Sequence, residues 1–423
     1  LNTDEATKEA QSAFGDNDNQ IAASRIMLAY IFHKLTDAFG DVPYYSFSTE
    51  NETFQALKPE ESFSPVFASQ QVIYEDLIKQ LREASSQLNT SEIVFTTGDN
   101  IFNGDATKWK KFANSLILRI ANRLRGVDSA TADAAIDQAI AAGVMTSNAD
   151  NAVQAYATED ATASPFWQAF INRTDFGVTN TFIRALKGEN NNFELDPRLF
   201  KVAAPSNVSI GAIKADDYEE STDPDDYQGI PYAFPLTQQL SFNSFTFPSS
   251  NVLKPDFGEV LMEYAEVQFI ISERNNFSQA EYENGVRASM EKWDVPAADV
   301  EDFVASLPAA NQANVLNQKY MAMYMQPHEA WAEYRRTGFP NFLVLPNEEV
   351  QLDPEQVENL VSTDNPNPDS SYIFIPRVDI DEMPKRLRYP QILQTLNPTN
   401  RQEAAQGLEG GDVITAPLFW DVN

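Results

Sequence analysis

Aromatic side chains are concentrated in a loop-like stretch in the middle of the chain. Between residues 143 and 255, glycine, proline and asparagine separate short apolar runs, which is typical of irregular backbone. The residues of this stretch whose chemistry suits a small polar ligand are Trp167, Tyr218, Tyr227, Tyr232 and Gln238. Aromatic rings pack against the C–H faces of sugar rings, and polar side chains hydrogen-bond sugar hydroxyls. These residues are therefore candidates for a ligand site, in which Trp167, Tyr227 and Tyr232 are the stacking platforms and the glutamine is a polar contact.

The same residues leave three alternatives open. The first is structural, since an aromatic ring in an irregular segment commonly anchors that segment to the hydrophobic core. The second is a glycoside hydrolase on a helical toroid, which needs an acid and a base or nucleophile about 5 to 10 Å apart. The chain has 62 acidic residues, so carboxylates alone decide nothing, and no pair in an aromatic setting stands out as catalytic. The third is a peptide-binding helical-repeat scaffold, whose groove would be polar and free of stacked aromatic rings.

Metal and cofactor chemistry finds little support in the composition. The chain has no cysteine, and its only histidines, His33 and His328, lie within helical patterns, which argues against a zinc site. The acidic runs Asp16–Asn19 and Asp223–Asp226 offer closely spaced oxygens to calcium. Neither run has the glycine at position six and the glutamate at position twelve of the EF-hand loop. We therefore predict no metal and no cofactor.

The charge of the chain restricts its partners. Sixty-two acidic against 30 basic residues give a net charge of −32. A field of that sign repels nucleic acid and anionic lipid headgroups, so we expect neither as a partner. No apolar run has the length of a membrane-spanning helix, and even Leu116–Leu124 is interrupted by Arg119, Asn122 and Arg123.

The most regular element of the chain is the run Trp109–Asp128. Its apolar residues recur at steps of three and one, which places them along one broad stripe of an α-helix. Leu118 lies on the opposite side, and a helix with apolar residues on two sides is typically sandwiched between other helices. Arg119 and Arg123 border the stripe, so we expect their alkyl stems to lie on the core and their guanidinium groups to reach a partner.

Similar patterns predict a mainly α-helical chain. The predicted helices are Gln20–Phe39, one opened by Ser64 and Pro65, Asp105–Arg125, Thr131–Ala142, Asp175–Leu186, one opened by Asp256, Ser278–Trp293, Ala309–Gln326 and a short one opened by Pro327. The last of these is predicted to end with Arg335 and Arg336 in its final turn and Gly338 just after it. Paired helices of this length suggest a tetratricopeptide-like solenoid, but the strict repeat consensus is absent, so the periodicity alone predicts only stacked helix pairs. We predict a single unit, 1–423, with helix pairs at about 20–142 and 256–336, an irregular aromatic-rich insert at 143–255 and a proline-rich wrapping tail at 340–423.

Short motifs spread over nearly the whole chain occur in a recognisable order. They are Leu35–Tyr44 (LTDAFGDVPY), the Trp109 helix (WKKFANSLILRIANR), Asp196–Leu199 (DPRL), Met262–Glu273 (MEYAEVQFIISE), Ala280–Trp293 (AEYENGVRASMEKW), Glu329–Pro340 (EAWAEYRRTGFP), Arg386–Pro390 (RLRYP) and Leu418–Val422 (LFWDV). In this order the motifs resemble the SusD/RagB family, the surface nutrient-binding lipoproteins of Bacteroidetes. No single motif is decisive, but their common order is specific.

The resemblance implies four tetratricopeptide-like pairs with an irregular remainder that carries the glycan site. It also implies a surface-exposed lipoprotein of the cell outer membrane. Such a protein captures an oligosaccharide or other nutrient, does not cleave it, and delivers it to a TonB-dependent transporter of the SusC type. Family members carry a lipidated cysteine and then a tryptophan–tyrosine helix near their amino terminus. Because Leu1 begins close to that helix with no cysteine before it, we expect that the amino-terminal part is missing and that membrane attachment is only through a lipid anchor absent from this chain.

Overall fold

Among the described residues, four helices lie between residues 17 and 142, and three of them pack around the fourth. In a computed structural model that describes residues 13–60, 62–174, 176–234, 244–361 and 365–422, these helices are α1 (Asn17–Phe39), α2 (Gln70–Gln87), α3 (Ala106–Leu124) and α4 (Ser129–Ala142). The apolar stripe of α3 is buried against α1, α2 and α4, and Leu118 on its other side is buried as well. The sandwiched helix predicted from Trp109–Asp128 is therefore confirmed.

Aspartates explain where three of these helices begin. The Asp105 carboxylate accepts hydrogen bonds from the backbone N–H groups of Thr107 (2.8 Å) and Lys108 (3.1 Å), which have no partner within α3. Asp16 and Asp128 cap α1 and α4 in the same way. Asp16, the first residue of a run that we considered for calcium, therefore has a structural role.

The helix start predicted at Ser64 and Pro65 is wrong. Helix α2 begins at Gln70. Ahead of it, Ala68 lies in an antiparallel bridge, and its N–H donates to the carbonyl of Val42 at 3.0 Å. A backbone pairing with a segment more than twenty residues away thus outweighs the local serine–proline signal.

The insert contains short helices and one strand of a two-stranded sheet. Its elements are β1 (Ala152–Gln154), α5 (Pro165–Ala169), α6 (Asn180–Leu186), α7 (Leu199–Val202) and α8 (Ile210–Lys214), and the partner strand β2 (Glu259–Met262) follows. The strands are antiparallel, with Val153 opposite Val260. The predicted start of a helix at Asp256 is wrong. The residues that follow Asp256 form β2, which pairs with β1, and the next helix begins only at Tyr264. Helix α6 is shorter than the predicted Asp175–Leu186, since Thr179 caps it at residue 180.

Five helices follow the insert, where the sequence predicts four. They are α9 (Tyr264–Arg274), α10 (Gln279–Lys292), α11 (Ala297–Ser306), α12 (Gln312–Ala322) and α13 (Pro327–Thr337). Helix α11 is absent from the predicted set, although it buries Val300, Phe303 and Val304. The predicted end of α13 is confirmed, because Gly338 follows it in the left-handed conformation with φ of 73°. The mainly α-helical, tetratricopeptide-like fold that we predict is confirmed.

The tail contains little regular structure and returns to the first helices. Its elements are β3 (Glu349–Gln351), α14 (Pro354–Leu360), β4 (Ser371–Ile373), α15 (Leu393–Leu396) and α16 (Pro398–Gln406). The Leu387 N–H donates to the Ala38 carbonyl at 2.7 Å, and the Tyr389 hydroxyl donates to the Asp41 carbonyl at 2.9 Å. Trp420, close to the end of the chain, is fully buried. The division into helix pairs, insert and tail within one unit stays a prediction.

Buried ion pairs join α3 to the helices of the second half. The Nη2 atom of Arg119 lies 2.5 Å from the Oε2 atom of Glu266, and Arg123 contacts both Glu329 and Glu333. Burial alone would raise the pKa of Glu329, but the charges of Arg123 and Arg119 outweigh it and lower this pKa to about 2. The partners that we expected for the two arginines are therefore acidic residues of α9 and α13.

Candidate functional site

An aromatic groove of about 250 Å³ lies where α13 meets the insert and the tail. The aromatic residues that line it are Phe182, Tyr232, Tyr320, Trp331, Tyr334 and Phe342. The other lining residues are Thr179, Thr181, Pro327, Ala330, Leu343, Val344 and Met383. None of these described residues carries a charge at neutral pH. We call this site, defined by these residues, the aromatic groove.

Helix α13 places one of its faces in the aromatic groove. Pro327, Ala330, Trp331 and Tyr334 follow one another at helical intervals of three, one and three residues, so their side chains lie on the same side. Pro327 is the first residue of this helix. Proline fits there because its backbone angle is already helical and because the N–H that it lacks would have no partner within the helix. The groove face of α13 therefore follows from the spacing of its residues.

The opposite face of α13 is held by charge. Glu333 accepts hydrogen bonds from the ammonium group of Lys319 and from the guanidinium group of Arg336, both at 2.6 Å. Arg336 also donates to Glu273 at 2.8 Å, which connects α13 to α9. The pKa of Glu333 lies well below its usual value, because the nearby cations outweigh the effect of burial. These buried pairs fix the rotation of α13 and with it the position of the groove face.

Trp331 has little freedom to move. Its indole N–H donates to the carbonyl of Pro384 at 2.8 Å, and the guanidinium carbon of Arg335 lies 3.7 Å from the centre of its ring. Arg335 in turn donates to the backbone carbonyls of Asp37 and Lys385 at 2.7 and 2.8 Å. Burial lowers the pKa of Arg335 to about 10, so the group still carries its charge at neutral pH. One face of the indole is thus covered, and its orientation is set by the tail.

Ring-to-ring packing positions the other aromatic residues. Phe182 stacks on Tyr324 with centroids 5.0 Å apart, and Tyr320 meets Phe342 edge-on at 5.9 Å. Tyr232 packs edge-on against Phe374 at 5.4 Å, and its carbonyl accepts a hydrogen bond from the hydroxyl of Tyr372. Rings fixed in this way lose little conformational freedom when a ligand binds.

The tyrosine hydroxyls of the aromatic groove remain protonated at neutral pH. Burial raises the pKa of Tyr320 to about 12 and also raises the pKa values of Tyr232 and Tyr334 above their usual value. Each hydroxyl can then donate one hydrogen bond and accept others. The arrangement suits a neutral ligand that offers a flat apolar face and several hydroxyl groups.

Of the sequence-predicted site residues that the structure describes, Tyr232 alone lines the aromatic groove. Trp167 is 9% exposed, and its indole N–H donates to Asp160 at 3.1 Å. The Tyr218 hydroxyl lies 3.3 Å from the hydroxyl of Ser250, within the same small apolar cluster as Trp167. Gln238 lies outside the described residues. The sugar-binding roles of these residues stay predictions.

Tyr227 has the structural role that the sequence left open as an alternative. Its side chain is 1% exposed, its hydroxyl donates to the carbonyl of Ser221 at 2.7 Å, and its ring packs 5.6 Å from that of Phe200. In this position the ring presents no surface to a ligand. A stacking platform at Tyr227 is therefore not supported by the geometry.

Sequence reasoning missed Trp331 and Tyr334. Both lie in the motif Glu329–Pro340, whose charged residues and helix stop indicate a structural element and not a ligand site. The only available signal was the spacing of three residues between two aromatic side chains on one helical face. That spacing more commonly indicates a core-facing stripe than a ligand site. The groove is formed only because residues of the insert and the tail pack beside this face of α13.

Other candidate features have structural explanations. In the second run considered for calcium, Asp223 accepts from the N–H of Asp225 at 3.0 Å, and Asp226 accepts from the hydroxyl of Ser221 at 2.5 Å. Among the described residues there is no group of three or more histidine, aspartate or glutamate side chains with a metal-binding arrangement. None of the helices in the described ranges combines the length and apolarity needed to cross a bilayer.

Comparison with known proteins identifies the family of the chain. Residues 1–359 match the SusD-like family described as starch-binding and associating with the outer membrane. The chain belongs to this SusD-like family. No protein in the curated collection matches this chain.

Solved structures share the SusD-like fold. A chitin-binding protein is 24% identical, with 96% of this chain and 82% of that chain covered and a TM-score of 0.72. A SusD homologue from Bacteroides ovatus is 20% identical, with coverages of 95% and 82% and a TM-score of 0.73. A SusD homologue from Bacteroides uniformis is 22% identical, with coverages of 95% and 81% and a TM-score of 0.70. At these identities the likeness concerns the fold.

Proposed function

We propose that this SusD-like protein binds a neutral oligosaccharide in the aromatic groove. The observation that carries the proposal is the groove itself, in which aromatic rings from the insert, α12, α13 and the tail converge without a charged neighbour among the described lining residues. Apolar ring faces and protonated tyrosine hydroxyls match the two kinds of surface that a neutral sugar presents. Family membership and the chitin-binding structural neighbour support a carbohydrate as the ligand.

The same groove supports binding without cleavage. Hydrolysis of a glycosidic bond requires two carboxyl groups about 5 to 10 Å apart on either side of the bond. The described lining of the aromatic groove contains no aspartate and no glutamate. A sugar held there meets rings and hydroxyls that can orient it but cannot protonate its leaving group at neutral pH. We therefore propose capture of an intact glycan.

The proposed ligand is then delivered to a membrane transporter. We infer that the protein is displayed on the outer membrane as a lipoprotein, and that it hands the glycan to a TonB-dependent transporter of the SusC type. The family description, which associates its members with the outer membrane, supports this location. A net charge of −32 suits a surface exposed to water and salt.

Isothermal titration of the full chain with maltotetraose and with chitotetraose tests the proposal. We expect binding of at least one of them, without release of shorter sugars on overnight incubation. Tyr334→Ala should weaken the affinity by about 1 to 3 kcal/mol, because it removes one ring and one hydroxyl from the groove. Tyr156→Ala is the matched control, since that tyrosine is also half-buried but does not line the groove.

Three outcomes would contradict the proposal. An equal loss of affinity in Tyr334→Ala and Tyr156→Ala would mean either that the sugar binds elsewhere or that both variants are misfolded. Circular dichroism of the two variants distinguishes these explanations. Release of shorter sugars would favour the hydrolase alternative. Absence of binding to a wide panel of neutral glycans would favour the peptide-binding scaffold.

A further inference from the structure

A second cavity lies in the insert, apart from the aromatic groove. Its volume is about 780 Å³, and it lies between α5, the segment that follows α5, and α8. Its floor includes Trp167, Phe170 and Ile171, and its rim includes Asn172, Arg173 and Lys214. We call it the basic cavity. It shares no lining residue with the aromatic groove.

Lys214 is held in the basic cavity without an acidic partner. Its ammonium nitrogen lies 4.6 Å from the centre of the Trp167 ring and donates to the carbonyl of Phe170 at 3.2 Å. Within the described part of the chain no carboxylate forms an ion pair with Lys214, although the protein has 62 acidic residues. An ammonium group has three N–H donors, so two remain for a ligand.

The acidic residues near Lys214 form no ion pair with it in the described part of the chain. Asp160 is engaged by the indole N–H of Trp167 at 3.1 Å. Asp216 and Asp217, which follow Lys214 along the chain, are exposed, and the N–H of Asp217 donates to the Ala212 carbonyl at 2.9 Å. The lysine is thus fixed by a ring face and a carbonyl, which orient its charge without neutralising it.

We propose that the basic cavity binds a saccharide unit that carries a carboxylate or a sulfate group. The cation of Lys214 on the rim matches the anionic substituent, and the apolar floor matches the ring that bears it. The amide of Asn172 can hydrogen-bond the remaining hydroxyls. The volume is in the usual range for small-molecule sites. This site is independent of the aromatic groove and takes a ligand of different charge.

The negative charge of the whole protein does not prevent such binding. At physiological ionic strength the Debye length is about 8 Å, so exposed carboxylates farther away are largely screened. The half-buried Lys214 is screened less, and its contact with an anion dominates locally. The repulsive field therefore lowers the association rate more than it lowers the stability of the bound state.

The two sites are close along the chain. Thr174 lines the basic cavity and Thr179 lines the aromatic groove. Five residues of extended backbone span at most about 18 Å, which is the upper limit of the separation between these two positions. A glycan with alternating neutral and acidic units could therefore contact both sites, although each can bind its own unit alone.

Titration of the full chain with three tetrasaccharides tests the proposal: tetragalacturonate, a carrageenan tetrasaccharide whose charges are all sulfate esters, and maltotetraose. We expect at least one acidic tetrasaccharide to bind. Lys214→Gln should weaken that binding about tenfold or more, because a charge-assisted contact is lost. Lys214→Arg should retain most of it. Lys187→Gln is the matched control, since Lys187 is also half-buried, gives the same change in net charge and lines neither site.

Each outcome has a definite meaning. Weaker binding of the acidic tetrasaccharide in Lys214→Gln, with unchanged binding in Lys187→Gln and Tyr334→Ala, supports the proposal. This holds even if maltotetraose does not bind and the proposal for the aromatic groove is wrong. Equal loss in Lys214→Gln and Lys187→Gln would reduce the effect to net charge and overturn it. Loss in Tyr334→Ala but not in Lys214→Gln would place the acidic sugar in the aromatic groove and overturn it. Binding of neither acidic sugar would overturn it as well.

Discussion

The aromatic groove and the basic cavity are built from similar rings but differ in what surrounds them. In the groove, Trp331 belongs to a helix whose other face is locked by buried ion pairs, and no described lining residue is charged. In the basic cavity, Trp167 belongs to a five-residue helix, and a lysine without an acidic partner among the described residues lies over its ring. An aromatic residue alone therefore does not define a sugar site. Neighbouring charge decides which sugar it suits.

The difference extends to rigidity. The groove face of α13 is held by Glu333 and Arg336, whose ion pairs with Arg123, Lys319 and Glu273 connect α13 to three other helices in the interior. The segment beside the basic cavity is irregular backbone, packed in a small apolar cluster with few members. We therefore expect the groove to depend on the buried charges and the cavity to depend on local packing.

Removal of a buried charge beneath the groove should have the largest effect. Glu333→Gln leaves the cations of Arg123, Lys319 and Arg336 with too little negative charge, and we expect the free energy of unfolding to fall by about 3 to 5 kcal/mol. Urea denaturation followed by circular dichroism measures it. Glu283→Gln removes a partly exposed ion pair with Arg287 and should cost less than about 1 kcal/mol. Similar costs in the two variants would show that the buried pairs do not anchor α13.

Truncation of Trp167 should have a smaller effect on stability and none on the groove. Trp167→Ala removes a mostly buried ring next to an open cavity, and we expect a loss of about 3 kcal/mol in the free energy of unfolding. The affinity for a neutral oligosaccharide should be unchanged, because Trp167 does not line the aromatic groove. A loss of about 1 to 3 kcal/mol in that affinity would instead make Trp167 a platform for the neutral ligand.

Removal of Tyr232 tests the one sequence-predicted residue that lines the groove. Tyr232→Ala should weaken binding of a neutral oligosaccharide by about 1 to 2 kcal/mol, because one ring of several is lost. Tyr232→Phe keeps the ring and separates the contribution of its hydroxyl from that of its face. Isothermal titration of both variants gives the two contributions. Unchanged affinity in Tyr232→Ala would remove this residue from the site.

Ionic strength should distinguish the two sites with a modest effect. The affinity of an acidic tetrasaccharide for the basic cavity should fall severalfold between 0.05 and 0.5 M sodium chloride, because salt screens contacts between charges. The affinity of a neutral tetrasaccharide for the groove should change little. Equal salt dependence for both ligands would remove the electrostatic distinction between the sites.

pH should have the smallest effect, and only at the alkaline end. Deprotonation of a groove tyrosine would remove a hydrogen-bond donor and weaken binding as the pH rises. Burial raises the pKa of Tyr320 to about 12, so this loss moves above the range where an ordinary tyrosine titrates. We expect nearly the same affinity for a neutral ligand at pH 6.5 and at pH 10.5, measured by titration calorimetry with the fold checked by circular dichroism. A severalfold decrease at pH 10.5, where a tyrosine with a pKa of about 10 is mostly ionised, would indicate an ordinary tyrosine pKa in the site.

Much of the fold was predictable because its signals are local. The stripe of Trp109–Asp128 and the stop at Gly338 depend on residues that are neighbours in sequence. The predictions at Ser64 and Asp256 failed because distant backbone, at Val42 and at β1, provided better partners. Such pairings depend on where other segments are placed, which no local pattern contains.

Composition, local periodicity and ordered motifs are enough to predict a helical, strongly acidic protein of a SusD-like family with an aromatic-rich insert. The tertiary structure decided which rings could meet a ligand. It buried Tyr227, separated Trp167 from Tyr232, and brought Tyr232 beside Trp331 and Tyr334, which are about one hundred residues away in sequence. The physical reason is that helical periodicity is set by residues a few positions apart, whereas a groove is formed by segments whose contacts are made only when the whole chain has folded.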